Sequence, residues 1–411
     1  MRQLLQFIGV VLAILLSLKF FDATFLPEKL LLYGSYLVVA AGFVVALPRL
    51  IRERGGFALP VRLVLLSILV SAAMAYLAWG QGIKDSVFQA LPFMTWIFFF
   101  VFLRLKLRIA TAERIVMFFG LVYISLYFFQ LSQAPTVLFG KSLWGDEFTI
   151  DRGVVRIIFP GAGVFILTSL MALNKLTSGA KGRVLWAVLA GLGLLIPILQ
   201  VTRQFIAGMF LLYLLHLTRT QHWLQRVVTA AGTLTLLMVV LNAGIPQIDG
   251  ILEAGERDVS LGSDYIRVAA GQYFLFDFSP DFPSRVLGNG VADWGLSGYG
   301  RFVEQLGLNR GYFLSDVGII GVYAQFGIFA VLAFVLIWTK SFTIPLPPQF
   351  QYLKYYLWYL LFTSLTWFTV YHHHYVIATV SALYLYQVVW SRTHRITRPN
   401  GETEKIYLPE S

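Results

Sequence analysis

Apolar residues in this chain come in successive runs, each long enough to cross ~30 Å of hydrocarbon, and that spacing constrains the fold before anything else does. Twelve runs can be marked, approximately at 4–21, 30–47, 61–79, 87–103, 115–131, 154–173, 184–201, 204–217, 227–245, 316–338, 355–371 and 375–390. A composition of 58% apolar, 16% aromatic and 13% charged residues fits a polytopic membrane protein, because a soluble fold could not hide this much apolar surface. The expected fold is all-α, with about twelve transmembrane helices and one large loop holding short amphipathic helices. Residues 1–245 carry the first nine spans, 246–315 the loop, 316–390 the last three spans and 391–411 a tail. The first run follows Arg2, but Asp22 to Phe25 offers no small-x-small cleavage site, so it reads as a retained span.

Basic residues favour the cytoplasmic side of short loops. With the N-terminus inside, 20 of the 32 basic residues fall on that side, among them Arg49, Arg52, Arg104, Lys175, Lys340 and Arg392. The long loop from Ile245 to Asp316 is then extracytoplasmic, and it is acidic in a chain of formal charge +11. Parity depends on the stretch Gln200 to Gln204, which lacks a Gly or Pro to mark a turn. A single helix through it would run ~50 Å at 1.5 Å per residue, longer than the membrane, so two helices meeting at Arg203 are expected.

Within the loop, Ser263 to Phe274 places Ile266, Ala269, Ala270, Tyr273 and Phe274 on one stripe at helical spacing after a Ser/Asp start. This reads as an amphipathic helix on the bilayer or on the bundle. Arg301 to Leu308 is a second short helix, and Gly288-Asn289-Gly290 marks a tight turn between them.

Five constellations carry chemistry. Arg203, flanked by Thr202 and Gln204, is an arginine at membrane depth or at the outer rim: either an anion site or a snorkelling residue that caps the preceding helix. Arg152 and Arg156, at i and i+4 on the outer start of the sixth span, repel each other and oppose the helix dipole. A bound anion relieves them, or Asp146, Glu147 and Asp151 do. Arg267 lies one turn from Asp264, as a surface pair or as a further guanidinium fork suited to phosphate. Asp316, at the mouth of an apolar helix, is a proton acceptor, a helix N-cap shared with Ser315, or both. His372, His373 and His374 cannot all face one metal from a regular helix, which favours a proton relay or interfacial polarity over a metal site.

The catalytic candidates are therefore Asp316, Arg203 and Arg267. The substrate-binding candidates are Arg152, Arg156, Gln204, Tyr265, Tyr312, His372 and His373. No metal or other cofactor is expected. The absence of cysteine excludes thiolate metal ligands and cysteine nucleophiles. No Walker A loop, Gly-x-Ser-x-Gly elbow or His-Glu-x-x-His pair is present, and the basic residues follow topology rather than a nucleic-acid-binding patch.

This pattern resembles the O-antigen polymerase and O-antigen ligase superfamily of bacterial envelope glycosyltransferases. The resemblance covers nearly the whole chain as topology, with both ends cytoplasmic and one large periplasmic loop between the ninth and tenth spans. Arg203 matches an arginine at the periplasmic end of a span before the loop, and Arg267 one within it. Where ligases open the next span with a His, a small polar residue and then a Gly, this chain has Ser315-Asp316 with Gly327. Asp in place of His favours a polymerase-like member over a ligase. The resemblance implies a metal-independent enzyme of the inner membrane that uses undecaprenyl-pyrophosphate-linked oligosaccharides as donor and acceptor in surface polysaccharide synthesis, with a chain-length regulator as a possible partner. A secondary transporter or flippase of such glycans is the non-enzymatic alternative.

Overall fold

The computed structural model describes residues 2–142, 147–148, 150–151, 154–200, 202–219 and 265–393. The first half runs α1 (Arg2–Ser17), a four-residue turn α2 (Lys19–Asp22), α3 (Glu28–Arg52), α4 (Ala58–Leu77) and α5 (Ile83–Ala90). A 3-10 stretch, Leu91–Ile97, then leads into α6 (Phe98–Leu105), followed by α7 (Ile109–Gln133). A hairpin of β1 (Ile150–Asp151) and β2 (Val154–Val155) precedes α8 (Ala162–Thr177), α9 (Arg183–Leu199) and α10 (Arg203–Arg219). The second half has α11 (Ile266–Phe276), α12 (Phe282–Leu287), α13 (Gly298–Arg310), a 3-10 turn Leu314–Val317, α14 (Ile319–Thr343), α15 (Gln351–Thr363) and α16 (His373–Thr393). The ninth predicted span, 227–245, and the tail beyond Thr393 lie outside the described residues.

Five of these stretches are long and apolar enough to cross a membrane: α3, α4, the α5–α6 unit, α7 and α14. Shorter apolar helices are α8, α9 and most of α1. On α3 the two faces differ in neighbour, not in polarity. Leu31, Val39, Gly42 and Ala46 are buried, whereas Leu30, Leu37, Val44 and Ile51, spaced by seven, are 57%, 69%, 78% and 70% exposed. A stripe of that kind is costly in water and neutral in lipid, which marks the chain as a membrane protein. Inside the bundle α4 packs on α14, and α8 packs on α7, α9, α15 and α16. The Phe326 and Tyr371 rings stack at 4.0 Å, and the Tyr371 hydroxyl meets the Ser67 hydroxyl at 2.6 Å.

Two sets of links collect at opposite ends. At one end Asn174 Nδ2 donates to the Gln349 carbonyl, the Phe57 amide to Gln387 Oε1, and the Tyr386 hydroxyl to the Ile344 carbonyl. At the other, Thr24 N–H donates to Leu138, Gln200 Nε2 to the Ile157 carbonyl, Thr366 Oγ1 to Gln204 Oε1, and Ile319 N–H to Ser364. Residues 265–317 sit at this second end.

The loop reaches into the bundle there. Gly327 interrupts α14 with φ 73°, so carbonyls one turn earlier lose their helical donors. Asn289 N–H and Nδ2 both donate to the Ala324 carbonyl, at 3.0 and 2.8 Å, and Gly290 N–H donates to Gln325 at 2.8 Å. Irregular backbone at this depth is tolerated because another segment of the protein satisfies it. The approach needs glycine on both sides: a Cβ on Gly288 would meet the backbone of Phe326 and Gly327, and one on Gly327 the backbone of Leu287.

The sixth helix begins at Ala162, not near residue 154 as the apolar run predicts. β-branched residues favour the β1–β2 hairpin, and Pro160 disfavours helix in the residue before it. Gly161, at φ 105°, then starts α8. Asp316 and Ser315 do not cap α14: its N-cap is Gly318, at φ 56°, with no side-chain cap bond.

Candidate functional site

The predicted turn at Arg203 is present. α9 ends at Leu199 and α10 begins at Arg203, with the Phe205 and Ile206 amides donating to the Thr202 carbonyl. Buried Gln200 pins the turn through Nε2, which donates to the Tyr123 hydroxyl at 3.1 Å and to Ile157 at 3.3 Å. Arg203 thus emerges half-buried from the first position of α10.

α11 carries the second arginine. It packs against α14 and the 3-10 turn, so it lies on the bundle. Ala270, Gly271 and Phe274 form its buried side, while Ile266, predicted on the same stripe, is 45% exposed. Arg267 is half-buried beside it, and Tyr265 occupies the N-cap position. Asp264, the suggested pairing partner of Arg267, lies outside the described residues. The third charge comes from the turn Leu314–Val317, where half-buried Asp316 accepts from the Ser315 hydroxyl at 3.1 Å. The turn is tied to the α15–α16 link, since Phe368 N–H donates to Ser315 and Ile319 N–H to Ser364.

These pieces border an open cavity of about 610 Å³. Arg203, Gln204, Tyr265, Arg267 and Asp316 line it together with Thr366 and an apolar wall that includes Leu275, Val317, Ile320 and Leu365. All three residues read from the sequence as catalytic therefore share one chamber, along with two of the seven substrate-binding candidates. Volume and lining are those of a ligand site, apolar walls with a few polar groups. Among the described lining residues two guanidinium groups stand against one carboxylate, a set suited to an anion.

The other candidates stand elsewhere. Arg152 lies outside the described residues. Arg156 is half-buried in the non-helical link 156–160, so the i,i+4 helical relation with Arg152 does not exist. Tyr312 belongs to the aromatic core of the loop, 5.7 Å from the Tyr273 ring, and does not line the chamber. The histidines straddle a helix start: His372 precedes α16, and the three ring centroids are 4.2, 4.4 and 4.7 Å apart. They converge because they do not share a regular helix, against the sequence expectation. Their ligand nitrogens lie within 4.8 Å of one another, so among the described residues this is the group able to hold a metal. The His374 amide donates toward His372 Nδ1 at 3.4 Å, and desolvation in the cluster lowers the His372 pKa to about 4.

Sequence reasoning missed two organising amides. Fully buried Asn289 accepts from Trp79 Nε1 at 2.8 Å and donates to Ser279 Oγ at 2.9 Å besides its bonds to α14. Buried Gln81 donates to the Val291 carbonyl at 3.0 Å and accepts from the Asp293 amide at 2.9 Å. The Gly-Asn-Gly triplet was the available signal, since glycines on both sides of a polar residue permit close backbone approach.

A second cavity, of about 490 Å³, lies at the same end between α2, the start of α3 and Gly140-Lys141. Its wall includes a left-handed turn of four non-glycine residues, Lys19, Phe20, Phe21 and Asp22, at φ 47°, 50°, 61° and 52°. Each such residue costs about 1–2 kcal/mol. Gly140 N–H, donating to the Phe21 and Asp22 carbonyls at 3.1 Å, holds the turn, as does Phe21, buried against Phe119 and Phe159. Comparison of the sequence with protein-family models and with curated proteins gives no match.

Proposed function

We propose that the chain is a metal-independent glycosyltransferase of the bacterial inner membrane. It polymerises undecaprenyl-pyrophosphate-linked oligosaccharide units at the periplasmic face, in surface polysaccharide synthesis. The observation that carries this reading is the convergence of Arg203, Arg267 and Asp316 on one chamber of about 610 Å³ with an apolar wall. Arginine forks bind a diphosphate bidentately and stabilise the charge that grows on it as it leaves. The apolar wall suits the first isoprene units. In the reaction the anomeric C–O bond to the diphosphate breaks, and its electron pair departs with the polyprenyl diphosphate. The acceptor hydroxyl oxygen bonds to the anomeric carbon, and its proton passes to the Asp316 carboxylate and then to water. Gln204, Tyr265 and Thr366 line the chamber as hydrogen-bonding groups for the sugars.

In this reading the chamber end is periplasmic, with twelve spans and both termini in the cytoplasm. Lys175, Lys181, Arg183, Lys340 and Arg392 lie toward the other end, as the positive-inside rule requires. Single cysteines at exposed Gln305 and exposed Ser178 test the orientation in this cysteine-free chain. An impermeant reagent applied to intact spheroplasts labels Gln305→Cys alone; labelling of Ser178→Cys instead reverses the assignment. The catalytic reading is tested with Arg203→Lys and Arg267→Lys in transfer from a purified lipid-linked donor. Each variant stays folded and loses most transfer, because lysine keeps the charge but not the fork. Normal transfer by both lysine variants discards the diphosphate clamp.

A further inference from the structure

The second cavity differs from the first in its charges. Lys19 and Lys141 face Asp22 and Glu28, so its formal charge balances. Lys141 and Glu28 pair at 2.9 Å across an exposed rim, whereas Asp22 sits inside, 8% exposed. No side chain or amide among the described residues donates to the Asp22 carboxylate, and no cation lies within salt-bridge distance of it. A carboxylate so placed faces the cavity with its hydrogen-bonding capacity unused by the described residues, and a ligand can supply the donors.

We propose that this cavity binds a sugar unit of a glycan, with the Asp22 carboxyl as its central hydrogen-bonding group. A sugar hydroxyl donates and accepts at once, which matches a chamber offering carboxyls and amines side by side. The anion that suits the arginine chamber does not suit this one, because Glu28 repels it and the described lining has no excess of positive charge. Burial pushes the Asp22 carboxyl up, toward a neutral form that hydrogen-bonds a neutral ligand. Leu26, Pro27 and Leu31 give the apolar floor on which the C–H face of a sugar ring rests. The strained turn that carries Lys19 and Asp22 fits a site whose backbone is held for binding.

The role of this site rests on the transfer reading. With the donor diphosphate in the arginine chamber, a sugar held here belongs to the acceptor glycan. The α15–α16 link connects the two places: its Leu365 and Thr366 line the first chamber, and His373, where α16 begins, lies within electrostatic reach of Lys19 and Lys141.

The experiment is saturation-transfer NMR on the purified full-length protein in nanodiscs. The probes are a panel of neutral hexoses, 6-deoxyhexoses and N-acetylhexosamines, with phosphoethanolamine as the zwitterionic comparison. At least one neutral sugar receives saturation from the wild type and from Arg203→Lys, and binds ~10-fold or more weakly to Asp22→Leu, the scale of losing a hydrogen bond to a carboxyl group. Lys141→Met, at the exposed rim, weakens the same sugar if Asp22→Leu does not fold. The inference is overturned if no sugar shows saturation sensitive to these substitutions, or if phosphoethanolamine alone does, which would make the cavity a lipid-headgroup site. The two proposals fail separately. Sugar binding without any transfer from a lipid-linked donor sinks the transferase reading, whereas Arg203-dependent transfer without sugar binding sinks this one.

Discussion

At the end of the bundle that carries Lys175 and Arg62, two charged clusters close within the chain. Glu113 accepts from the Tyr352 hydroxyl at 2.8 Å and pairs with Lys175 at 3.2 Å, while Arg62 donates to the Leu50, Ile51 and Glu53 carbonyls at the C-terminus of α3. At the opposite end Asp316 accepts only from its neighbour Ser315, and Asp22 from no side chain among the described residues; both carboxylates open onto cavities. Charges that close on one another cement helices at fixed spacing. Charges that face a chamber add little to stability and are left for a ligand. Substitutions in the closed clusters and at the two cavity carboxylates should separate the two kinds of charge by experiment.

The largest expected effect comes from the scaffold of the open end. Gly288→Ala places a Cβ against the backbone of Phe326 and Gly327 at a residue with φ 90°, where neither side is a flexible side chain that can yield. The expected loss exceeds ~4 kcal/mol, the range of the most severe single substitutions. Thermal unfolding in detergent, read beside Gly298→Ala, measures it; nothing lies within 4 Å of a Cβ at Gly298. Equal melting of the two variants would remove the docking of residues 287–291 into the α14 break as a determinant of the fold.

Asp316→Asn comes next and moves a different quantity. The amide keeps the shape and can still accept from Ser315, but it cannot take a proton. Transfer from a lipid-linked donor is expected to fall ~10²-fold or more, the usual scale for removing a general base, with unchanged melting. An active Asn variant would move the proton acceptor to the histidines and erase the distinction between Asp316 and a structural carboxylate.

What could be read from the sequence follows the range of the forces involved. The apolar runs and the turn at Arg203 were legible because span length and parity are properties of the chain itself. The grouping of Arg203, Arg267 and Asp316 was legible only as a sidedness, since all three were assigned to one face; their meeting in one chamber depends on how α11 packs. The second strand of the hairpin, Val154–Val155, was hidden at the start of an apolar run, because β-branched residues look alike to a hydropathy count whether they form a strand or a helix. The break at Gly327 and its repair by Asn289 were not legible, because a glycine in a span states only that backbone can approach, not which segment approaches. The His372 to His374 convergence was missed for a related reason: the argument assumed a regular helix, and the helix begins at His373.

The smallest effects lie at the closed end and divide by whether the pair belongs to a hydrogen-bonded network. Glu113→Gln keeps an acceptor for the fully buried Tyr352 ring but removes the partner of Lys175, whose side chain is 31% exposed, and the network loses its charge assistance. A destabilisation of ~1–2 kcal/mol is expected, between a surface pair and a buried one. Glu53→Gln removes the i,i+4 pair with Arg49, whose side chain is 36% exposed, and leaves the Glu53 carbonyl still accepting from Arg62. Its cost should stay below ~0.5 kcal/mol, because a lone i,i+4 pair with no buried group attached gains little over hydrated charges. Salt sharpens the contrast. Raising ionic strength to 1 M shortens the Debye length to ~3 Å and should erase the Glu53 effect while leaving most of the Glu113 effect. Transfer per folded molecule should be unchanged in both variants. A loss of transfer in Glu113→Gln at full stability would mean that the closed end also takes part in the reaction, and that charge closure does not mark structural residues in this fold.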